Sequence, residues 1–514
     1  MSLWAATRSR RTAAVALQSF ASGLPLGLVW YAIPDWMRDI GVDIEVVGLL
    51  TLAQAPWTFK VLWAPLVDRF TPPFWGRRRG WMAMTQVALA ALGLLLAGVG
   101  ERPQAVWVVG ALALALAVAS ATQDIAIDAY AVELLRTDEQ GAAAGARTAL
   151  YRVALLVSGG VSISLAARIG WPAVNVLLAC VYLPMLVVTW RSPEPDVPVA
   201  PPRTLREAVW QPILSLLTRP RALEILAFVV LYKFSDQLTQ SLTRPFLVDM
   251  GYGPDERGLA LATISGVGFV AGSFVGGWAT TLAGLGHSLW AFGFLQLFSN
   301  LGYYALAVLD GPSAPAMYAA TGFEMLTSGM GSGAFSVLLL RLTEKRFSAT
   351  QYALLSSLFA LPRVLAGPIT GFAVGAVGWP AFYLAATVTG VPGLLMLGRF
   401  VPIGVREPDL EPRARVAPGT GPVPAIAFLA AVALAAVAVL VLAAIDALGS
   451  NQTFPGTAVA FREALWRLLA PADATGWVSL GGVAAFAIVG GMLFAASRAR
   501  HRGSLRSSND SGQA

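Results

Sequence analysis

The sequence has little of the side-chain chemistry that most enzymes use. Among its 514 residues it contains one cysteine, Cys180, and two histidines, His287 and His501. So few Cys and His residues argue against a disulfide framework, a zinc site and a catalytic triad with a buried histidine base. The sequence also lacks the G-x-x-x-x-G-K-[ST] motif that binds ATP phosphates. Any proton chemistry therefore depends on carboxylates, and any energy comes from a gradient or a partner.

Charged residues are scarce as well. They make up 13% of the chain, whereas hydrophobic residues make up 56% and the mean hydropathy is +0.65. Soluble domains carry about 25% charged residues. The formal net charge is +7, but the Lys and Arg residues lie between apolar runs and form no single basic face, which argues against nucleic acid as a partner. The composition predicts an integral protein of the lipid bilayer.

Long apolar runs account for most of the chain. A helix needs about 20 apolar residues to cross the hydrocarbon core, and only helices satisfy their own backbone there over such a length. The sequence therefore predicts an all-α polytopic membrane protein. We predict fourteen spans, at 13–33, 44–66, 81–99, 105–127, 145–167, 172–190, 222–246, 258–283, 288–309, 315–340, 351–375, 379–398, 424–446 and 476–497.

Positive charges alternate between the two sides of this predicted bundle. Twenty-four of the 36 Lys and Arg residues fall in segments on the side of the amino terminus, six fall in the opposite loops and six lie within the runs. Segments rich in Lys and Arg stay in the cytoplasm during insertion. The pattern predicts that both termini are cytoplasmic, although the loop near His287 has no Lys or Arg.

Two linkers divide the spans into groups of six, six and two. The first is rich in proline and then predicts a short amphipathic helix at 204–217. The predicted domains are an N-terminal six-helix half at 1–190, a linker at 191–221, a C-terminal six-helix half at 222–398, a linker at 399–423, a two-helix hairpin at 424–497 and a basic cytoplasmic tail at 498–514. Two six-helix halves joined by a cytoplasmic loop are the layout of major facilitator transporters, whose substrate site lies between the halves.

About ten ionisable residues lie well inside the predicted spans or, like Asp128, next to the end of one, where each costs about 2.5–3.5 kcal/mol on insertion scales. The bases are Lys60, Arg147, Arg152, Lys233, Arg244 and Arg363, and the acids are Asp124, Asp128, Asp236 and Glu324. In the major facilitator layout helices 1, 4, 7 and 10 line the central cavity, and all four acids fall on helices 4, 7 and 10. The surplus of two bases favours an anionic ligand.

Asp124 and Asp128 are four residues apart and therefore lie on one helical face, where two ionised carboxylates repel each other. One of them is expected to hold a proton, while Arg147 and Arg152 on the next helix would favour the ionised forms. Protonation of this carboxylate pair would then depend on how far an arginine lies from it, which suits a role in proton coupling. The alternative is a structural ion cluster that tethers helices 4 and 5.

Three other groups of residues each have two interpretations. Lys233 and Asp236 are three residues apart and either neutralise each other or serve the cavity, since a desolvated lysine can lose its proton. The glycines indicate close helix packing rather than a phosphate loop, at Gly268, Gly272, Gly276, Gly329, Gly331 and Gly333. Four aromatic residues either stack on sugar rings or belong to interfacial belts, namely Trp30, Tyr31, Trp57 and Trp63.

Several motifs of this sequence match those of one transporter family. The segment APLVDR at 64–69 and the arginines at 77–79 resemble the major facilitator loop signature, lengthened by TPPFWG at 71–76. The other similar motifs are SGLPL at 22–26, GRRRGW at 76–81, QD at 123–124 with DA at 128–129, YR at 151–152 with VSGG at 157–160, LYK at 231–233 with Asp236, and FSATQYALLS at 347–356. Together these motifs resemble those of the AmpG-type muropeptide permeases of Gram-negative inner membranes, and the resemblance covers helices 1–12 and the two extra spans.

The resemblance implies proton-driven import of GlcNAc-1,6-anhydro-MurNAc peptides from periplasm to cytoplasm, for peptidoglycan recycling and, in some species, β-lactamase induction. It implies no enzymatic activity and no cofactor besides the coupling proton, and we expect a monomer. Asp124 and Asp128 become the proton-coupling pair. The gating residues are then Asp68, Arg69, Arg77, Arg78 and Arg79. The substrate-binding or cavity residues are Lys60, Gln123, Arg147, Tyr151, Arg152, Tyr232, Lys233, Asp236, Glu324 and Arg363.

Two alternatives to this function remain open. Another proton-coupled major facilitator carrier, for a sugar, a peptide or a drug, would share the topology and the buried acids. A membrane-embedded enzyme or sensor would belong to a different class, and the lack of histidine within the spans argues against it. The family usually has threonine where this chain has Arg244, so the role of Arg244 and the peptide preference stay open.

Overall fold

The fold is helical throughout the described part of the chain. The structure is a computed structural model, and it describes residues 9–43, 46–47, 50–196, 199–217, 222–410, 423–449, 456–470, 483, 491 and 494. Within these residues, eight helices are long and apolar enough to cross a membrane. The described helices thus have the composition of a polytopic membrane protein.

Six helical elements and a linker helix form the amino-terminal half. The elements are α1 (Arg10–Asp39), α2 (51–69), α3 (Arg77–Val99), α4 (Pro103–Leu134), α5 (Gln140–Ile169) and α6 (Trp171–Arg191), and the linker helix is Leu205–Leu217. Single π-helical turns interrupt α1 at Leu28–Ala32 and α5 at Val157–Val161. These turns contact each other, so the irregular parts of the two helices lie side by side.

The carboxyl-terminal half has the same number of elements. They are α7 (222–249), α8 (Pro254–Ala283), α9 (Leu285–Ala307), α10 (Ala314–Leu342), α11 (348–377) and α12 (379–400). Gly378, with φ of 75°, makes the turn between α11 and α12, a conformation that glycine adopts without strain. Two further helices, α13 (Val423–Gly449) and α14 (Gly456–Leu469), pack against each other.

Two of the predicted helices are discontinuous. Within α2, the α-helical pieces Ala55–Phe59 and Ala64–Arg69 are separated by a 3-10 turn at Lys60–Leu62. Within α7, the pieces Ala222–Leu231, Phe234–Ser241 and Thr243–Asp249 are separated at Lys233 and Leu242. The sequence predicted spans at 44–66 and 222–246 but not these breaks, because an apolar run reports composition and not the continuity of the backbone hydrogen bonds.

Other boundaries differ from the predictions in ways that matter for the site. The sequence placed the end of helix 4 at 127, but α4 continues to Leu134. Asp124 and Asp128 therefore lie within the helix and not at its end. The predicted span at 476–497 lies almost wholly outside the described residues, so the total of fourteen spans stays a prediction.

The two halves share one hydrophobic core at one end of the bundle only. We call this the linker end, because α6 ends and α7 begins there, and we call the other the distal end. The shared core joins residues of both halves, such as Tyr130 of α4 and Leu355 of α11. Towards the distal end each half has a core of its own, one around Trp36 and one around Tyr383. The halves thus share a hydrophobic core at the linker end, whereas their hydrophobic cores are separate towards the distal end.

Small residues allow the closest contact between the halves, where α5 crosses α8. A Cβ atom on Gly277 of α8 would lie 2.5 Å from the carbonyl oxygen of Gly141 and 2.6 Å from the Cα of Gly145. Gly272 and Gly276 bring the backbone of the same helix against α10. The packing role predicted for the glycines of helix 8 is confirmed, and α8 joins both halves.

We expect Gly277→Ala to destabilise the protein, because the added methyl group forces α8 away from α5 in a contact with no free space. Overpacking of this kind costs about 1–3 kcal/mol. Thermal unfolding of the purified protein in detergent measures the effect. Gly258→Ala is the matched control on the same helix, since nothing lies within 4 Å of its added methyl group. Equal melting temperatures for the two variants would contradict this account of the contact.

Candidate functional site

A cavity of about 700 Å³ lies between the two halves. Side chains from α1, α2, α4 and α5 line it on one side, and side chains from α7, α8, α10 and α11 line it on the other. Eight of the predicted cavity and proton-coupling residues lie in this lining: Lys60, Asp124, Asp128, Arg147, Tyr151, Arg152, Lys233 and Arg363. The cavity therefore brings together ionisable groups from both halves.

Two acids and two bases form a buried ion cluster on the amino-terminal side of the cavity. The Lys60 Nζ lies 3.2 Å from the Asp128 Oδ2 and 3.8 Å from the Asp124 Oδ2. Arg147 donates to the other oxygen of Asp128, and the Ser22 hydroxyl donates to Asp124. The charges sum to zero, which offsets part of the desolvation cost of holding four ions within the bundle.

The partners of the two acids differ from those that the sequence predicted. Arg147 pairs with Asp128 as predicted, but Arg152 does not reach the cluster and lies over the ring of Phe269 instead. Lys60 takes the place between the two carboxylates. The sequence identified Lys60 as a costly intramembrane charge without a partner, because its contact with α4 spans more than sixty residues of chain.

The cluster also touches the opposite half. The Arg147 guanidinium lies 3.4 Å from the hydroxyl of Tyr352 on α11 and 5.6 Å from the centre of its ring. Adding a proton to either acid would leave two cations facing a single anion. The repulsion would then act on Lys60 and on Arg147, and through Arg147 on α11.

A second polar cluster lies in the carboxyl-terminal half. The Lys233 Nζ donates to the Asp236 Oδ2 over 2.9 Å, to the carbonyl oxygen of Ser328 over 3.0 Å, and to Gln296. The interpretation that Lys233 and Asp236 neutralise each other thus agrees with the structure. Both intramembrane lysines lie at helix breaks, since Lys60 begins the 3-10 turn of α2 and Lys233 precedes the middle piece of α7.

Four predicted cavity residues do not line the cavity: Gln123, Tyr232, Asp236 and Glu324. Asp236 and Glu324 are buried behind it, where Glu324 accepts a hydrogen bond of 2.6 Å from Gln240. Tyr232 stacks on Phe335 and donates to a backbone carbonyl of α9. Helix periodicity shows which residues share a face but not which neighbouring helix that face meets, so the sequence could not separate these four from the others.

A second ionic network closes the linker end. Asp68, at the end of α2, is fully buried. Its Oδ1 accepts from Arg77 over 3.0 Å and from Arg78 over 2.6 Å. Its Oδ2 accepts from the backbone nitrogen of Thr350 over 2.8 Å and from the Thr350 hydroxyl over 2.7 Å. Because Thr350 lies in the first turn of α11, a carboxylate of one half caps a helix of the other.

Glu133 and Ser348 extend this network, and the sequence did not identify either of them. Glu133, at the end of α4, accepts from Arg78 over 2.8 Å and from the Ser348 hydroxyl over 2.6 Å. Ser348 belongs to the motif FSATQYALLS, which indicated a family but no partner for its hydroxyl. Two carboxylates and two arginines thus hold α2, α3 and α4 against the start of α11.

Two of the predicted gating residues lie outside this network. Arg79 donates to the backbone oxygen of Ser192 over 2.9 Å and pairs with the exposed Glu194, both after α6. Arg69 lies over the ring of Phe70, with 5.6 Å between its Cζ and the ring centre. Among the described residues, these contacts of Arg69 and Arg79 lie within the amino-terminal half and the segment just after α6.

We expect Asp68→Asn to destabilise the protein strongly, because Arg77 and Arg78 would keep their charges with Glu133 as their one remaining acidic partner. Removing one partner of a buried ion pair costs about 3–5 kcal/mol. Thermal unfolding in detergent measures the loss. Arg79→Gln breaks an ion pair whose acid is 58% exposed and should cost about 1 kcal/mol or less. Similar losses in the two variants would show that the network does not hold the halves together.

Comparisons with known proteins agree with this architecture. Residues 15–367 match the family model described as Major Facilitator Superfamily. The anhydromuropeptide permease of Escherichia coli K12 is 41% identical over 393 residues, which cover 75% of this chain and 79% of the relative. An uncharacterized protein of Haemophilus influenzae is 32% identical over 406 residues, covering 77% of this chain and 95% of that protein.

A solved transporter structure shows the same fold. The crystal structure of the E. coli fucose:proton symporter FucP has a TM-score of 0.59 and 14% sequence identity, covering 75% of this chain and 97% of that one. The family match at 15–367 runs from α1 into α11 and so includes the whole amino-terminal half and most of the carboxyl-terminal half around the cavity. The chain therefore belongs to the major facilitator superfamily of membrane transporters and, within it, to the family of the anhydromuropeptide permeases.

Proposed function

We propose that the protein imports GlcNAc-1,6-anhydro-MurNAc peptides across the bacterial inner membrane, from periplasm to cytoplasm, driven by the proton gradient. The proposal includes fourteen spans, cytoplasmic termini and a monomer. The imported compound would be used in peptidoglycan recycling and, in some species, would contribute to β-lactamase induction. The support is the 41% identity to a relative that carries the name anhydromuropeptide permease.

The observation that carries the mechanism is the buried ion cluster at the cavity wall. Four ionised side chains are held within the bundle, all four line the cavity, and Arg147 also contacts the opposite half. A purely structural tether would not need access to a water-filled cavity. Protonation at Asp124 or Asp128 would change the charge balance where the two halves meet, as proton coupling requires.

Alternating access follows from the unequal contacts at the two ends. The ionic network around Asp68 and the shared hydrophobic core close the linker end, whereas each half has its own core at the distal end. In the proposed orientation the distal end is periplasmic. The solute enters there, and release to the cytoplasm requires the Asp68 network to open.

Proton import supplies adequate energy for this cycle. Each positive charge that moves inward gains about 2.3 kcal/mol per 100 mV of membrane potential. Breaking the contacts of a closed linker end costs several kcal/mol, but equivalent contacts at the distal end can replace them when that end closes. The proton gradient therefore has to supply only the free-energy difference between the two conformations, and not the full free energy of breaking either set of contacts.

We expect Asp124→Asn and Asp128→Asn each to abolish gradient-driven uptake, because neither amide can take up and release a proton. The measurement is uptake of labelled anhydromuropeptide into proteoliposomes, with and without an imposed pH gradient. Asp138→Asn, in the exposed turn after α4, is the matched control and should transport normally. Exchange of external for internal solute without a gradient should survive in both variants and shows that they are folded.

The same assay distinguishes the alternative substrates. Uptake of a simple sugar, a free peptide or a cationic drug, with no uptake of the anhydromuropeptide, would refute the substrate proposal. Normal gradient-driven uptake by both asparagine variants would refute the coupling proposal and leave the substrate standing.

A further inference from the structure

Two arginines in the cavity lining have no ionic partner among the residues that the structure describes. Arg152 lies on α5 and Arg363 on α11. In the part of the chain that the structure describes, neither guanidinium pairs with a carboxylate, and the buried Nε of Arg152 has no hydrogen-bond partner. The other three bases of the lining, Lys60, Arg147 and Lys233, are each paired with an acid. Two uncompensated positive charges therefore face the cavity.

Each of these arginines lies over an aromatic ring of the opposite half. The Arg152 Cζ is 5.2 Å from the ring centre of Phe269 on α8, and the Arg363 Cζ is 5.9 Å from that of Trp30 on α1. The two contacts are reciprocal, since α5 and α1 belong to one half and α8 and α11 to the other. A ring attracts a guanidinium but accepts few of its hydrogen bonds, so most of its donors remain for a ligand.

The two charges also oppose each other. Both guanidinium groups carry a positive charge and line the same cavity. Like charges that face a cavity with apolar walls repel more strongly than in bulk water. An anion between them would remove this repulsion and satisfy the free donors of both side chains. The guanidinium fork suits the two oxygens of a carboxylate in particular.

We propose that Arg152 and Arg363 form an anion clamp that binds a carboxylate of the transported solute between the two halves. The clamp deepens the proposed function and rests on it, because the proposed solute carries carboxylates on its peptide. Trp30 and Trp57, in edge-to-face contact at 6.4 Å, lie beside the clamp and offer apolar surface to the rest of the solute.

The position of the clamp gives it a role beyond affinity. Since its two arginines belong to different halves, an anion bound to both joins the halves on the cavity side of the distal end. Without the anion, each arginine reaches the opposite half through the weaker contact with an aromatic ring. A solute with a carboxylate therefore favours closure of the distal end, and a neutral solute of the same shape does not.

The first test compares two solutes in proteoliposomes that contain the full chain. One is an anhydrodisaccharide peptide with free carboxylates, and the other is the same compound with its carboxylates converted to amides. For the native protein we expect the KM of the amidated compound to be about tenfold higher or more, as befits hydrogen bonds to a charged group. Arg152→Gln and Arg363→Gln should raise the KM of the free acid to the same level and leave that of the amide unchanged.

Arg168→Gln is the matched control, because it removes an exposed arginine of α5 that lies outside the cavity lining. It should transport both compounds as the native protein does. Equal KM values for acid and amide in the native protein, or unchanged values in both glutamine variants, would overturn the clamp. If the native protein takes up neither compound, the proposed function itself fails, so the two failures are distinguishable.

The second test measures closure directly. Spin labels at Ser164→Cys and Val377→Cys, in a Cys180→Ser background that removes the exposed native cysteine, report the distance between α5 and α11 near the distal end. We expect the free acid to shorten this distance and the amide to leave it unchanged. Arg363→Gln should abolish the shortening at saturating free acid. Equal shortening by the acid and the amide would show that the anion does not join the halves.

Discussion

The structure depends on the neutralisation of charge where water is scarce. An ion that leaves water loses solvation energy, and within a helical bundle only another ion or a set of dipoles can replace it. Within the described residues, the chain meets this constraint around Lys60, around Lys233 and around Asp68. Each place joins helices that are distant in sequence, so charge pairing determines much of the bundle's helix arrangement. Arg152 and Arg363, which the bundle leaves uncompensated, stand out against this background.

The three clusters differ in what a change of charge would do. The Lys233 cluster lies within the carboxyl-terminal half and joins α7, α9 and α10, so it holds that half together. The Asp68 network crosses between halves and consists of arginines and acids with several hydrogen bonds each, which suits a contact that must be either made or broken. The Lys60 cluster is intermediate, because most of it lies within one half and one contact reaches the other half. It holds α2, α4 and α5 and touches α11 through one tyrosine only.

Much of the fold and part of the site could be predicted from the sequence. Apolar runs located the long helices, and the cost of intramembrane charge selected Lys60, Asp124, Asp128 and Arg147. The spacing of Arg147 and Arg152 along α5 could also have shown that they do not share the same partners. Five residues correspond to about 140° around a helix, so the two side chains cannot face the same carboxylates. The angle alone does not say which of them turns towards α4.

Contacts between distant segments could not be predicted in this way. Lys60 meets Asp128 because α2 breaks at the level where α4 carries its acids, and neither hydropathy nor spacing reports a break. Glu133 and Ser348 were missed because they lie at helix ends, where charged and polar residues are ordinary and indicate no contact. Their importance comes from the neighbour in the other half, which only the packed structure reveals.

The breaks in α2 and α7 have a mechanical consequence. An intact α-helix resists bending because backbone hydrogen bonds hold every turn. At the 3-10 turn of Lys60–Leu62 and at the irregular backbone of Lys233, part of the α-helical hydrogen bonding is missing. We therefore expect α2 and α7 to bend more easily beside their ammonium groups than within their intact turns. A change of charge near Lys60 or Lys233 would therefore act at the point where the helix lacks part of its backbone hydrogen bonds. Bending at that point would move the helix pieces on either side of it relative to each other.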